Sequence, residues 1–368
     1  MSAIDTTGLT LDAIEPADIS KYVFEEALLN GPLSLFHRID TGIQAKEKIR
    51  LVGLPGLAGE CIDDCTPASG TSIKMSEKLW DPKTVGFRLD HCSKSLSQQL
   101  IALKKRIARY PDEYDPTGSP EMDILTDATE LLTKKMVFRF AHFGDTDIEN
   151  VEIEDDENIG GYLKEGIDVK YFNCLDGLWK KVFTGVDANK IKRVTITENA
   201  GATYELQELA ADTAYNTFRA MYNASDARLK QNRGNSMFLV TRTLADNWLD
   251  TLESKSLANA LKANETLNTE GVPAGAELIG SYRNIPIYVM DEWDEIITSY
   301  FDDGTAYHLP HRALLTIPDN VPIGTPSEEM FSGSWEPWYE KKDKKVYIDG
   351  EAIIDINILE EYKIIAAY

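Results

Sequence analysis

Two histidines three residues apart, in His308-Leu309-Pro310-His311, are the first residues whose type and spacing suggest chemistry. Imidazoles ligate metals, but a site needs three or four donors. Pro310 prevents a regular helix there, so the rings need not share a face. No third ligand is marked nearby, and a structural role is the preferred reading. Cys61 and Cys65, with His91-Cys92 further on, supply four donors that a zinc ion could gather. Zinc would suit a segment without a core of its own. Their spacing is not one of the common short zinc spacings, so they read as small, unreactive thiols. Cys174 has no suggested partner. Acidic runs stand at Glu154-Asp155-Asp156-Glu157 and Asp291-Glu292-Trp293-Asp294-Glu295. Two-metal hydrolysis needs carboxylates converging from separate elements, whereas contiguous runs read as solvated loops.

The remaining chemical signatures are missing. The sequence has no G-x-S-x-G elbow, no Walker-type loop and no dinucleotide fingerprint. Gly53-Leu54-Pro55-Gly56-Leu57-Ala58-Gly59 makes a flexible loop without the Lys-Ser/Thr ending of a phosphate cradle. The basic run Lys104-Lys105-Arg106 reads as a solvated helix face or an ion-pairing surface. No catalytic residue, cofactor or metal is therefore expected.

Charge and composition narrow the class further. The chain has 368 residues and a formal net charge of −23. Residues 1–110 hold 14 acidic and 14 basic residues, so the whole imbalance falls on residues 111–368. Such a chain is a poor candidate for gripping phosphate backbones, which requires positive potential. No run of about 18 apolar residues could cross a membrane. The start, Met1-Ser2-Ala3-Ile4-Asp5, lacks the pattern of a secretory signal. Four cysteines are too few for a disulfide framework and fit a reduced, cytosolic compartment.

Periodicity predicts an α+β chain. Residues 1–17 read as a loose arm, 18–30 as a helix, and Leu33 to Ile39 as an extended piece. Residues 43–90 read as a long two-stranded excursion with arms at 49–54 and 84–89. The intervening Pro55 to Ser72 is too poor in large apolar residues to form a core, which suggests that the chain completes its packing on a neighbour. A helix over 94–109, a linker over 110–120 and a helix over 121–140 follow. The last carries Met122, Leu125, Leu132, Met136 and Phe140 on one stripe. Past a break at Gly160-Gly161, helices are expected near 205–229, 243–254 and 256–261. Strands are expected at 191–196, 236–241, 285–290 and 312–317. The end reads as strands 345–349, 352–358 and 362–366, with a hairpin turn at Asp349-Gly350.

Several motifs in this order resemble the major capsid protein of tailed bacteriophages. They are Phe36-His37-Arg38-Ile39-Asp40-Thr41-Gly42-Ile43, Ser76-Glu77-Lys78-Leu79-Trp80-Asp81-Pro82 and Asp176-Gly177-Leu178-Trp179. Ser281-Tyr282-Arg283-Asn284-Ile285-Pro286-Ile287-Tyr288, Pro310-His311-Arg312-Ala313-Leu314-Leu315-Thr316 and the stretch Trp335 to Tyr368 complete the set. The resemblance covers nearly the whole chain.

It implies the tailed-phage major-capsid fold: an N-terminal arm over 1–45, an extended E-loop hairpin over 46–91, and a P-domain with a spine helix over 92–164. An A-domain over 165–315 and return strands of the P-domain over 316–368 follow. Trp335 and Trp338 would pack in that P-domain sheet. The resemblance further implies a non-enzymatic structural protein of the virion, assembled in the host cytoplasm into pentamers and hexamers of an icosahedral shell. That shell would enclose double-stranded DNA without sequence-specific binding. Its expected partners are other copies of itself, a portal protein and a separate scaffold or decoration protein, with no membrane. Leu51, Leu54, Leu57, Leu79 and Trp80 of the E-loop become contacts to the neighbouring subunit. The alternatives are an encapsulin-type nanocompartment shell and a metal-dependent hydrolase. Two features depart from the family pattern. Few residues precede the first expected helix, so scaffolding would be separate, absent or already cleaved. Asn284 stands where the family usually has glycine, and asparagine tolerates a left-handed backbone.

Overall fold

The computed structural model describes residues 33–55, 73–92, 120–151, 161–254, 277–327, 334–340 and 345–368. In chain order its first elements are α1 (Leu33–Phe36), β1 (Ile39–Asp40), β2 (Glu47–Pro55), β3 (Ile73–Trp80) and β4 (Lys83–Cys92). Next come the long helix α2 (Pro120–Phe143), α3 (Leu178–Asp187), β5 (Lys192–Val194), α4 (Thr213–Ala224), α5 (Ala227–Gln231) and β6 (Met237–Val240). They are followed by α6 (Arg242–Ser254), β7 (Glu277–Tyr282), β8 (Ile285–Val289), α7 (Asp291–Tyr300) and β9 (Ala313–Thr316). The last are β10 (Ile323–Gly324), β11 (Ser334–Glu340), β12 (Lys345–Ile356) and β13 (Ile365–Ala367).

A six-stranded mixed sheet runs in the order β5-β13-β9-β6-β8-β7. Its central strands, Met-Phe-Leu-Val and Ala-Leu-Leu-Thr, are buried at every residue. Successive side chains point to opposite faces of a strand, and a sheet covered on both faces therefore reads as an unbroken apolar run. Phe238, Val240, Leu315 and Ile365 pack with Phe218 and Met221 of α4 and with Leu244 and Trp248 of α6. Leu239, Leu314 and Ala366 face the other way, into a core shared with Phe140 of α2 and Trp179 of α3.

The second sheet is built on β12. Strand β4 pairs antiparallel along one edge from Lys83 to Cys92, and β11 and β10 share the other. Strand β1 adds parallel to β10. Helix α2 packs on β12, placing Met136 and Phe140 in one core with Ala352, Ile354 and Ile356. The third sheet is a two-stranded ribbon of β2 and β3.

Helices α2 and α6 and strands β5, β6, β8 and β9 match the sequence expectations to within a few residues. Other expectations are corrected. The returning arm of the ribbon is Ile73–Trp80, and 84–89 belongs to β4 in the β12 sheet. Asp349-Gly350 is not a turn but lies inside the continuous strand β12. Gly350 is required there for a different reason: a Cβ would come 2.5 Å from Cζ of Phe87, its cross-strand partner. The final strand β13 lies between β5 and β9 in the six-stranded sheet, not with β12, so the stretch 316–368 serves both sheets. Leu33–Phe36 is helical rather than extended. The span 205–229 divides into a 3-10 turn at Tyr204–Gln207, α4 and α5. Asp226 ends the preceding stretch by accepting the Arg228 N–H as N-cap of α5.

The run Asp291–Glu295 opens α7 instead of forming a solvated loop. Acidic residues in a first turn are favoured by the partial positive charge of the helix N-terminus. Asn284 has φ 64° and Arg283 φ 53°, which gives the two-residue loop of the β7–β8 hairpin the positive dihedrals it needs. The expected helices at 18–30, 94–109 and 256–261, the acidic run 154–157, Cys61 and Cys65 lie outside the described residues. So do the side chains of His91, Cys92, Trp335 and Trp338.

Candidate assembly surface

Strands β2 and β3 pair in a regular antiparallel register from Glu47 opposite Trp80 to Val52 opposite Met75. Two strands alone are marginally stable in water, so the ribbon depends on its attachment and on what covers it. One face carries Lys48 opposite Leu79 and Arg50 opposite Glu77, with Met75 two residues further along. On this face Met75 is 65% exposed and Leu79 49%. Glu77 between them accepts from Lys48 Nζ at 2.7 Å. The opposite face carries half-buried Ile49 and Leu51 and, at the foot, buried Trp80.

The foot is fastened to the body by several independent contacts. Trp80 lies against Gly324, beside which Ile43 also packs. The Asp81 backbone N–H donates to Asp355 Oδ2 at 2.8 Å, and Asn357 Nδ2 donates to the Leu79 carbonyl at 2.9 Å. Lys78 pairs with Glu361, and Lys46 and Lys83 both pair with Asp81. The hydrogen bond from Lys46 holds the Asp81 carboxyl below its ordinary range.

The five residues expected to contact a neighbour are thus separated by the structure. Leu79 is on the exposed face, and Leu51 is half-buried on the other. Trp80 is 4% exposed and is a packing residue of its own chain, because Gly324 leaves the space its ring fills. The Leu54 side chain and Leu57 lie outside the described residues. Met75 was missed, although the alternation Met75-Ser76-Glu77-Lys78-Leu79 places it on the face of Leu79.

The residues singled out for chemistry have structural partners. His311 is buried; its Nε2 donates to the Gln207 carbonyl at 2.6 Å, leaving Nδ1 to accept from the Thr243 hydroxyl at 2.8 Å. The His308 ring stacks on Tyr162 at 4.3 Å. Burial depresses both imidazoles, His308 to about 3, so both are neutral. Among the described residues no group of three His, Cys, Asp or Glu side chains is placed to hold a metal. Asp291 and Glu277 both clamp Arg242, and Asp294 accepts the Arg242 backbone N–H at 2.7 Å. This acidic run therefore fixes the start of α6, and Arg242 ties that start to Glu277 at the head of β7. Arg312, also buried, donates to the carbonyls of Leu309 and His308 and lies over the rings of Phe143, Trp179 and Phe183. The Cys174 thiol, raised by burial, donates to the Thr84 carbonyl. No described helix is long and apolar enough to cross a membrane.

A long helix on a sheet built around one twelve-residue strand, a mixed sheet buried on both faces and a projecting ribbon define a class. This is the α+β fold of phage capsid chains, matched over almost the whole length. A chain of the satellite phage P4 procapsid, in a structure that includes the size determination (Sid) protein, is similar at TM-score 0.51 and 13% identity. The match covers 92% of this chain and 86% of that one. The mature capsid of bacteriophage PhiM1 gives TM-score 0.47 at 10% identity over 98% and 91% of the two chains. The capsid of Myoviridae phage XM1 gives 0.47 at 9% over 97% and 99%. No protein-family description matches the sequence. No curated protein matches it. At these identities the shared property is the fold.

Proposed function

We propose that this chain is the major capsid protein of a tailed phage, a non-enzymatic subunit that assembles into pentamers and hexamers of an icosahedral head. The observation that carries this reading is the ribbon, fastened among the described residues at its foot and presenting Met75 and Leu79 to solvent. A ribbon that leaves two large apolar side chains exposed among charged ones, with no second layer among the described residues, is explained if it lies across the adjacent copy, where obligate contacts bury about 2,000 Å² or more in total. Rings of five and six close by head-to-tail rotation, so the ribbon and the surface receiving it are different patches of one chain.

In this reading the ribbon is the E-loop, α2 and the β12 sheet form the P-domain, and the six-stranded sheet with α4 and α6 forms the A-domain. The particle encloses double-stranded DNA without gripping it, consistent with a net charge of −23. The protein resides in the virion after assembly in the host cytoplasm, and a portal protein and a separate scaffold or decoration protein complete the head. Size-exclusion chromatography with negative-stain microscopy tests the proposal on the expressed chain, with and without a scaffold. Capsomers, sheets or shells are expected, and their yield should change between low and moderate salt. Persistent monomers under every condition would overturn it.

A further inference from the structure

His37 and His142 are buried, 1% and 0% exposed, and their Nε2 atoms are 3.1 Å apart. His37 Nδ1 is 2.9 Å from the Val321 carbonyl oxygen, and His142 Nδ1 is 3.2 Å from that of Phe138. Carbonyl oxygens only accept. Filling all three contacts would take three ring protons, and two neutral imidazoles carry two. The Phe138 carbonyl also receives the His142 backbone N–H one helical turn on, and its ring contact is the longest of the three. It is therefore the contact without a proton. His37 carries its hydrogen on Nδ1, toward Val321, and His142 carries its hydrogen on Nε2, toward His37.

The proton count has a consequence. One added proton has a place at His142 Nδ1, facing the Phe138 carbonyl. A second has none, because it would set two N–H groups against each other across 3.1 Å. We propose that this pair is a proton-operated latch: it fastens the segment from α1 to the foot of the ribbon onto α2 while neutral, and acid loosens it. The pair joins three parts of the chain, since Val321 lies two residues before Ile323 of β10, whose N–H donates to the Arg38 carbonyl.

Among the described residues, no opposite charge acts on either ring. Arg38 on the same segment is engaged by Asp40, and Asp319 lies on the turn before Val321. On α2, Lys135 pairs with Glu295 and Arg139 donates to the Tyr171 carbonyl. On α7, Trp293 meets the His142 ring edge-on at 5.8 Å, flanked by buried Glu292 and by Asp294. Burial depresses both rings, His37 to about 4, and the facing imidazole lowers His142 further; only the two carbonyl contacts oppose this. A released segment would titrate near the ordinary 6.5, taking up two protons where the latched form has a place for only one.

Hydrogen exchange of residues 33–43 in the full chain between pH 7.5 and 4.5, corrected for intrinsic rates, tests the latch. Opening should increase below pH 6.5, by up to tenfold per pH unit for each proton taken up. In the double variant His37→Asn/His142→Gln, the pH dependence of this segment should disappear. Equal slopes in both proteins, or no slope in the wild type, would overturn the proposal. If the double variant does not fold, imidazole 1H–15N spectra of the wild-type chain decide instead. Protonated Nδ1 on His37 and protonated Nε2 on His142 at pH 7.5 are expected, and any other tautomer pair overturns it. None of these outcomes depends on whether copies of the chain assemble.

Discussion

Trp80 and Gly324 meet at the foot of the ribbon so closely that a Cβ on residue 324 would lie 2.9 Å from the indole carbons Cε3 and Cζ3. Gly324 sits in β10, paired with Asp355 of β12, and cannot retreat without breaking that ladder. Gly324→Ala should therefore push the indole out of its seat and destabilise the chain by about 1–3 kcal/mol, the usual range for overpacking. Trp80→Ala should cost about 3–5 kcal/mol by leaving a cavity. Urea unfolding of the unassembled chain measures both. Unchanged midpoints for the two variants would mean that the foot of the ribbon is not seated this way.

Leu79 precedes Trp80 in sequence but points to the other face, and its substitution should behave differently. Leu79→Asp combined with Met75→Asp removes the two exposed apolar side chains of this face while leaving the fastening contacts at the foot intact. The folding midpoint should shift little, by about 0.5 kcal/mol or less, and assembly in the microscope should be lost. Normal shells from this double variant would rule out that face as a contact.

The ribbon shows how much of this fold was legible in the sequence and where legibility stopped. The lack of a core between Pro55 and Ser72 marked the excursion, and unbroken runs such as Met237–Val240 marked strands covered on both faces. Pairing was not legible. Nothing local distinguishes Ile73–Trp80 from Lys83–Cys92 as the partner of β2, because both alternate and both are β-rich. The choice is made by β12, which pairs with β4 at ten positions and which the sequence places more than two hundred residues away. Gly350 misled for a related reason: a glycine that admits Phe87 from across the sheet has the same local appearance as one that makes a turn. The His37–His142 contact was hidden for the same cause. His37 lay within a recognised motif and His142 on the buried side of a helix, 105 positions apart in the chain.

Arg312 offers a test of packing geometry that charge alone would not predict. Its guanidinium fork reaches the carbonyls of Leu309 and His308, at 2.8 and 3.1 Å, while its plane lies among three aromatic rings. A lysine carries the same charge but neither the fork nor the flat face. Arg312→Lys should cost about 2 kcal/mol, comparable with losing one hydrogen bond to a charged group. Calorimetric unfolding would show this, and a lysine variant as stable as the wild type would mean that only the charge matters there.

Asp294 should give the chain a pH response opposite in sign to that of the histidine pair. Burial raises its carboxyl from an ordinary 3.8 to about 7, against the pull of the Arg242 and Thr243 N–H groups. The folded state thus holds a proton that the unfolded state has released across this interval. Stability from this group is full below pH 3.8 and declines as pH rises to about 7, by at most about 1.4 kcal/mol per unit. The histidine pair, whose rings are depressed, loses stability in the other direction, as pH falls below 6.5. In the wild type the two trends partly cancel. Asp294→Asn has no proton to release, while its side-chain oxygen can still accept the Arg242 N–H. Relative to the wild type it should gain stability at pH 8 compared with pH 5, and its thermal midpoint should fall more steeply between pH 6.5 and 4.5, where the histidine pair then acts unopposed. Melting curves of both proteins across this range decide the matter: parallel profiles would show that Asp294 ionises at its ordinary pH.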